Sequence, residues 1–409
     1  MNLKRTTPDQ NFASPGSPVE VFLAFLKLGL TSFGGPIAHP GYFRAELVER
    51  RRWVTDDQFA QLLAICQFLP GPASSQLGFT LGLLRAGSLG ALAAFVAFTV
   101  PSALLLVAFA TALPLLSGPI GEAAIHGLKL VACAVVADAV LGMSSNLCPD
   151  VPRKTIAVLS ASALLVASSA FAQLAVVVLA AIIGASFLRG VAVPDSSSQI
   201  QISYGQRTGT VLLLIFVGLL IGLPFVATGE PDLASVAEAF YRAGALVFGG
   251  GHVVLPLLQD SVVSTAWVAP EEFLAGYGAS QAIPGPMFAF SAYLGAVMSP
   301  AESTYLMAAT ALAFMFLPGF LLVAGVLPFW RAVSHNALAR RAIASVNAAV
   351  VGILGAALYN PIFTSGITGP ADLAIVVVAF GMLAVWRLSP LIVVLWCVSA
   401  SIAQSWWLS

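Results

Sequence analysis

Charge is what this sequence has least of. Aspartate, glutamate, lysine and arginine make up 9% of its 409 residues, where soluble domains carry about a quarter. A single large soluble α-domain would need far more polar surface. Acidic and basic residues number 18 each, so no basic field for nucleic acid is present. Cysteine is sparse too. Cys66, Cys133, Cys148 and Cys397 form no CxxC pair and read as small core residues. Histidine occurs only at 39, 126, 252 and 335. With no HExxH, GxSxG or P-loop pattern, the chain does not read as an enzyme, and neither a metal nor a cofactor is expected. Energy for any vectorial work must come from a gradient or a partner. The first eighteen residues, MNLKRTTPDQNFASPGSP, lack the apolar stretch of a cleavable leader and are expected to form a disordered cytoplasmic tail.

Apolar residues are abundant, at 59%. Nearly charge-free runs recur at Ala91–Pro114, Thr155–Leu188, Leu306–Trp330 and Leu391–Leu408. Several reach the ~20 residues that span a hydrocarbon core. The expected fold class is all-α, a polytopic membrane protein whose standing partner is the lipid bilayer.

The chain also repeats itself. FLKLGLTSFGG at 25–35 aligns with FYRAGALVFGG at 240–250, an offset of 215. One residue is then lost. At an offset of 214, WVTDDQF at 53–59 pairs with WVAPEEF at 267–273, and QFLPGP at 67–72 with QAIPGP at 281–286. Two homologous membrane repeats are predicted, at 19–190 and 235–409. Between them, 191–234 holds a polar linker and an extra apolar segment, Thr208–Val226.

Loop charge orients the halves. Cytoplasmic loops are enriched in Lys and Arg. RAELVERRR at 44–52 is basic and its counterpart near QDSVVSTA (259–266) is not. PLLSGPIGEA at 114–123 has no basic residue, whereas RAVSHNALARR at 331–341 is rich in them. Arg153 and Lys154 face a counterpart with only Asp372. The biases oppose, so the repeats are expected to be inverted, a hallmark of secondary transporters. Threading then makes Val19–Ala38 a re-entrant or broken helix turning at Gly34–Gly35–Pro36. Phe59–Leu84 does the same at Pro70–Gly71–Pro72 and returns to Arg85. About nine full spans plus four broken elements are expected, or roughly thirteen crossings if the broken ones traverse. The N-terminus falls inside and the C-terminus outside.

Irregular backbone at membrane depth is tolerated only inside protein or along a polar cavity. Four breaks at related places therefore point to one shared site, and free amides at helix N-termini suit an anion. Ser32, Gly34 and Gly35 mark the first break, Gly71 the second, Gly249 and Gly250 the third, and Gly285 the fourth. Lys27 and Arg242 are equivalent, each two residues before the shared glycine. Flanking a dianion and snorkelling to an interface both stay open for them. Ser74, Ser75 and Gln76 follow the first Pro-Gly-Pro block, and Gln67 and Gln281 precede the two blocks. These are either neutral donors to an oxyanion or helix-packing groups. Asp138, nine residues after Lys129, is a candidate for proton coupling or for an internal ion pair. His39 and His252 are weaker coupling candidates.

FLKLGLTSFGGPIAHPGYFRAELVERRRWV and QFLPGPASSQLGFTLG resemble the chromate ion transporter family in its two-domain form. The likeness covers nearly the whole chain. The second half departs from the first with Gly251 in place of Pro36, and Val253–Val254 in place of Ala38–His39. The resemblance implies chromate export from the bacterial cytoplasm across the inner membrane, conferring chromate resistance. Sulfate would be the isosteric competitor, and a proton gradient or membrane potential the drive. Residue chemistry alone reaches only a tetrahedral dianion. Sulfate uptake or exchange, a membrane scaffold and a homodimeric assembly stay open at this point.

Overall fold

A computed structural model of the chain describes residues 16–116, 118–167, 170–188, 202–248, 251–298 and 303–408. Most of the expected tail, most of the polar linker, and Gly249 and Gly250 lie outside the described residues. All regular structure among them is helical. The first repeat runs α1 (Pro18–Thr31), α2 (Gly35–Phe43), a π-helical turn at Arg44–Arg50, α3 (Asp56–Phe68), α4 (Ala73–Ala112), α5 (Pro119–Leu147), α6 (Val151–Val166) and α7 (Ala170–Phe187). The extra helix α8 (Gln206–Val226) follows. The second repeat runs α9 (Leu233–Leu246), α10 (Val254–Val262), α11 (Pro270–Ser280), α12 (Phe290–Val297), α13 (Thr304–Val326), α14 (Trp330–His335), α15 (Ala337–Ala357), the single turn α16 (Thr364–Gly366), α17 (Pro370–Ala384) and α18 (Pro390–Leu408). Arg44–Arg50 is a π-helical turn, whereas its counterpart runs through the end of α10 at Val262 into a turn.

Helix starts are written locally. The Ser17 side chain caps α1, Thr55 and Gln58 form a reciprocal capping box on α3, and Asp232 caps α9. Among the described residues, five stretches are long and apolar enough to cross a membrane: Ala73–Leu116, Pro119–Leu147, Gln206–Val226, Thr304–Phe329 and Ala337–Gly366. Shorter apolar helices, among them α17 and most of α7 and α18, fill in around them.

One long helix is in fact a hairpin. A Cβ on Gly82 would lie 2.5 Å from the Gly90 carbonyl oxygen, and one on Gly90 would lie 2.3 Å from that of Gly82. Eight residues along a straight helix are about 12 Å apart, so α4 reverses. The turn is at Ala86–Gly87, where Gly87 has φ +65°, a conformation glycine alone adopts cheaply. Gly82→Val is expected to disrupt this contact and cost about 1–3 kcal/mol. A lower melting temperature of the detergent-solubilised protein would register it, and an unchanged one would contradict the close packing.

The arms of these hairpins are re-entrant. Trp53 Nε1 donates to Glu20 Oε1 at 2.9 Å, and Arg85 Nη2 donates to both Glu20 oxygens at 3.0 and 3.1 Å. The starts of α1 and α3 and the end of the 73–85 arm therefore share one level. In the second repeat, Tyr293 Oη donates to the Glu272 carbonyl at 2.8 Å, tying α12 back to the start of α11. The 88–112 arm of α4 leaves the first level. Ser102 on that arm donates to the Pro284 carbonyl at 2.7 Å, and farther along Phe109 stacks on Tyr293. The two re-entrant sets thus enter from opposite ends of this arm, which is the inverted arrangement.

Outside the breaks the repeats are interlocked. Helix α5 packs on α17 and α18, and α15 on α6 and α7. Small residues allow the contact: Gly127 lies against Cys397 and Val398, Gly352 against Ala157, and Gly184 against Ser345. Such residues let membrane helices approach closely where hydrophobic force is weak.

Candidate functional site

The four breaks meet. Gly71 N donates to the Val247 carbonyl at 2.7 Å, and Gly285 N donates to the Ser32 carbonyl at 2.9 Å. Val247 is the repeat equivalent of Ser32, and Gly285 of Gly71. The same hydrogen bond is therefore made twice, each time from a Pro-Gly-Pro block of one repeat to the glycine break of the other. Both glycines have positive φ, +122° and +101°. That backbone aims their amides inward, and a side chain would resist it.

Each Pro-Gly-Pro block is buttressed differently. Gln76 Nε2 donates to Pro70 O at 2.9 Å and to Gly319 O of α13 at 3.0 Å. Pro284 is instead held by Ser102. Around the first block lies a set of buried polar groups. His39 Nδ1 is 3.3 Å from Ser74 Oγ, and its ring sits beside the Ser32 backbone, between Phe43 and Phe98. Ser32 Oγ, Ser75 Oγ, His39 Nε2 and Gln76 Oε1 are buried without a hydrogen-bond partner. Buried polar atoms are normally paired, and these four lie close to the N-terminus of α4.

The family pattern described as Chromate transporter matches residues 19–185 and 234–402, one stretch in each repeat. This chain belongs to the chromate transporter family. It is 28% identical over 344 residues to a probable chromate transport protein of Synechococcus elongatus, covering 82% of each chain. It is 26% identical over 358 residues to a chromate transport protein of Pseudomonas aeruginosa, covering 84% of this chain and 80% of that one. A chromate transport protein of Cupriavidus metallidurans is 26% identical over 341 residues, covering 83% and 81%. No solved structure matches the chain.

Within this chromate transporter family member, the candidate residues divide. Ser32, Gly71, Ser74, Ser75, Gln76, Gly285 and His39 gather around the joined breaks, and Gly34 and Gly35 start α2 beside them. Gln67 is exposed on α3, and Gln281 bonds to Ser280 Oγ at 3.1 Å within its own turn. Gly249 and Gly250 fall outside the described residues. His252 hydrogen-bonds Tyr277 through Nδ1. Asp138 is half-buried in α5 and makes no ion pair with Lys129.

Both repeat-related cations are ion-paired. Lys27 Nζ contacts Glu46 Oε2 at 2.7 Å, and Glu46, 6% exposed, also accepts from Arg50 and Arg51. Arg242 Nε contacts Glu238 Oε1 at 2.7 Å, one helical turn away. Sequence reading missed Glu46, because acids interspersed in a basic loop, here Glu46 and Glu49, look like solvated surface charges. It also missed the fully buried Asp372. That carboxylate at the start of α17 lies 3.1 Å from His126 Nε2 of α5 and accepts from Gln404 Nε2 of α18 at 3.2 Å. Neither contact has a signal in sequence spacing.

Proposed function

We propose that this protein is a secondary active transporter that exports chromate across the bacterial inner membrane, with sulfate as a competing analogue. The observation that carries the reading is the union of four helix breaks beside unpaired buried donors. Amides at helix N-termini and neutral hydroxyls replace the water around a tetrahedral dianion without holding it as tightly as a buried cation would. A transport site needs that moderation, because an anion bound too well is not released. In this proposal Ser32, His39, Ser74 and Ser75 contact the oxyanion. Gly71 and Gly285 shape the cradle, and Lys27 supplies long-range positive potential rather than direct ligation. The relatives named as chromate transport proteins support the choice of anion. No nucleotide motif occurs in the sequence, which favours a proton gradient or the membrane potential as the drive.

Purified protein in liposomes tests this directly. Labelled chromate should accumulate when the pH gradient or potential is imposed, and excess sulfate should reduce it. Absence of accumulation under every imposed gradient would refute transport. Direction is read in cells: loss of an exporter causes chromate sensitivity, whereas loss of an importer causes sulfate limitation.

A further inference from the structure

One pair of equivalent charged positions is arranged differently in the two repeats. Arg242 corresponds to Lys27 at the 215-residue offset, and Asp260 to Glu46 at the 214-residue offset. Lys27 and Glu46 are in contact. Arg242 and Asp260 are not. Between them is a cavity of about 210 Å³ with a mostly apolar wall, on which Gln173, Arg242, Asp260 and Ser261 are the polar residues. It shares Gln173 and Asp260 with an adjoining space of about 150 Å³, lined by Gln259, Ser264, Tyr359 and Asn360. Ser264, Tyr359 and Asn360 are exposed. Leu246, on its wall, precedes Val247, whose carbonyl accepts from Gly71. The space thus runs from an open rim past a cation and a carboxylate to a residue adjoining the crossed hydrogen bond.

We propose that this cavity is a binding vestibule for a tetrahedral oxyanion on its way to or from the four-break centre. Arg242, paired with Glu238 on its own helix, is its cation, and Asp260 across the cavity is the carboxylate that competes with the anion for it. The inference rests on the oxyanion-transporter reading above and adds an entrance to it. Arg242 is built to change partners. It has Glu238 one turn away on its own helix and Asp260 across the cavity, while Lys27 has only Leu23 at the position equivalent to Glu238. A dianion entering the cavity meets one guanidinium, whose planar fork suits an oxyanion, and one carboxylate that repels it. Competition between anion and Asp260 for Arg242 keeps binding weak enough for release. A site shifts between states only through such differential contacts. Lys27–Glu46, clasped by Arg50 and Arg51, is the same pair in its closed form.

The test uses Leu257→Cys, because Leu257 is half-buried and lines the cavity. The four native cysteines are buried and set the background. A negatively charged methanethiosulfonate should label the new thiol in the reconstituted protein. Sulfate or molybdate, tetrahedral dianions that do not oxidise thiols, should slow the labelling. Adding Arg242→Ala should remove that protection, raising the protecting concentration about tenfold or more. Asp260→Asn should lower it while slowing transport. Gln173→Cys, which lines both spaces, serves if Leu257→Cys does not fold. Labelling indifferent to oxyanion, in a preparation that transports it, overturns the vestibule and leaves the transporter standing. Failure of the unsubstituted protein to transport any oxyanion overturns both.

Discussion

Alanine at position 285 is expected to abolish oxyanion transport and to cost about 2–5 kcal/mol of stability. Two effects add. Gly285 has φ +101°, which a side chain disfavours by roughly 1–2 kcal/mol. Its Cβ would also lie 2.0 Å from Ser102 Oγ and 3.3 Å from the carbonyl oxygens of Gly29 and Phe98. Ser102 is the group that holds Pro284, and the Gly285 amide is the one bonded to Ser32. Displacing either pulls a Pro-Gly-Pro block away from the break it joins. The equivalent Gly71→Ala change should be milder, because its nearest contact is the Gln76 amide, the far end of a flexible side chain. Combining Gly285→Ala with Ser102→Gly should recover part of the stability, by removing the clash but not the backbone strain. Proteoliposome flux and melting temperature separate the outcomes. Full transport by Gly285→Ala would contradict the joined-break centre.

Glu46→Gln is expected to destabilise the protein by about 2–4 kcal/mol. Lys27, Arg50 and Arg51 all donate to this carboxylate. Removing its charge leaves three cations crowded together, although the exposure of Lys27 and Arg50 (51% and 62%) softens the loss. The pH dependence has a definite sign. Burial alone would raise the Glu46 pKa, but hydrogen bonds from Lys27, Arg51 and Arg50 outweigh it and hold the group at about 2, against an ordinary 4.5. A group depressed on folding stabilises the protein above its unfolded value, and that contribution disappears as the pH falls. Melting temperature should therefore drop as pH is lowered from about 4.5 towards 2, a contribution of about 3 kcal/mol in all. In Glu46→Gln that component should be missing. An identical acid profile in both proteins would remove Glu46 as the anchor of this loop.

The order of elements was legible because it is written in local chemistry. Glycine and proline at 34–36, 70–72 and 284–286 interrupt apolar runs wherever they occur, and the paired motifs expose the repeat without any tertiary knowledge. Loop charge predicted the inversion, and Arg85 marked where the second broken element returns. The turn at Ala86–Gly87 was less visible. One Ala-Gly pair in an apolar run is weak evidence, and the reversal depends on Gly82 and Gly90 touching.

Pairing across long range was beyond sequence. Lys27 and Arg242 look alike by position, yet one reaches nineteen residues ahead to Glu46 and the other four residues back to Glu238. The repeat predicts equivalence because both halves share a pattern. Packing breaks it because different helices surround each copy: α8 lies against α9 and α13, and α15 and α7 wall the cavity beside Arg242. By itself, then, the sequence determined the class, the repeats and the places where helices break, since composition and backbone chemistry act within a few residues. Only the tertiary structure decided that the breaks bond in crossed pairs, that Glu46 closes one ion pair, and that its counterpart stands open. Those outcomes depend on which surfaces the two halves bury against each other.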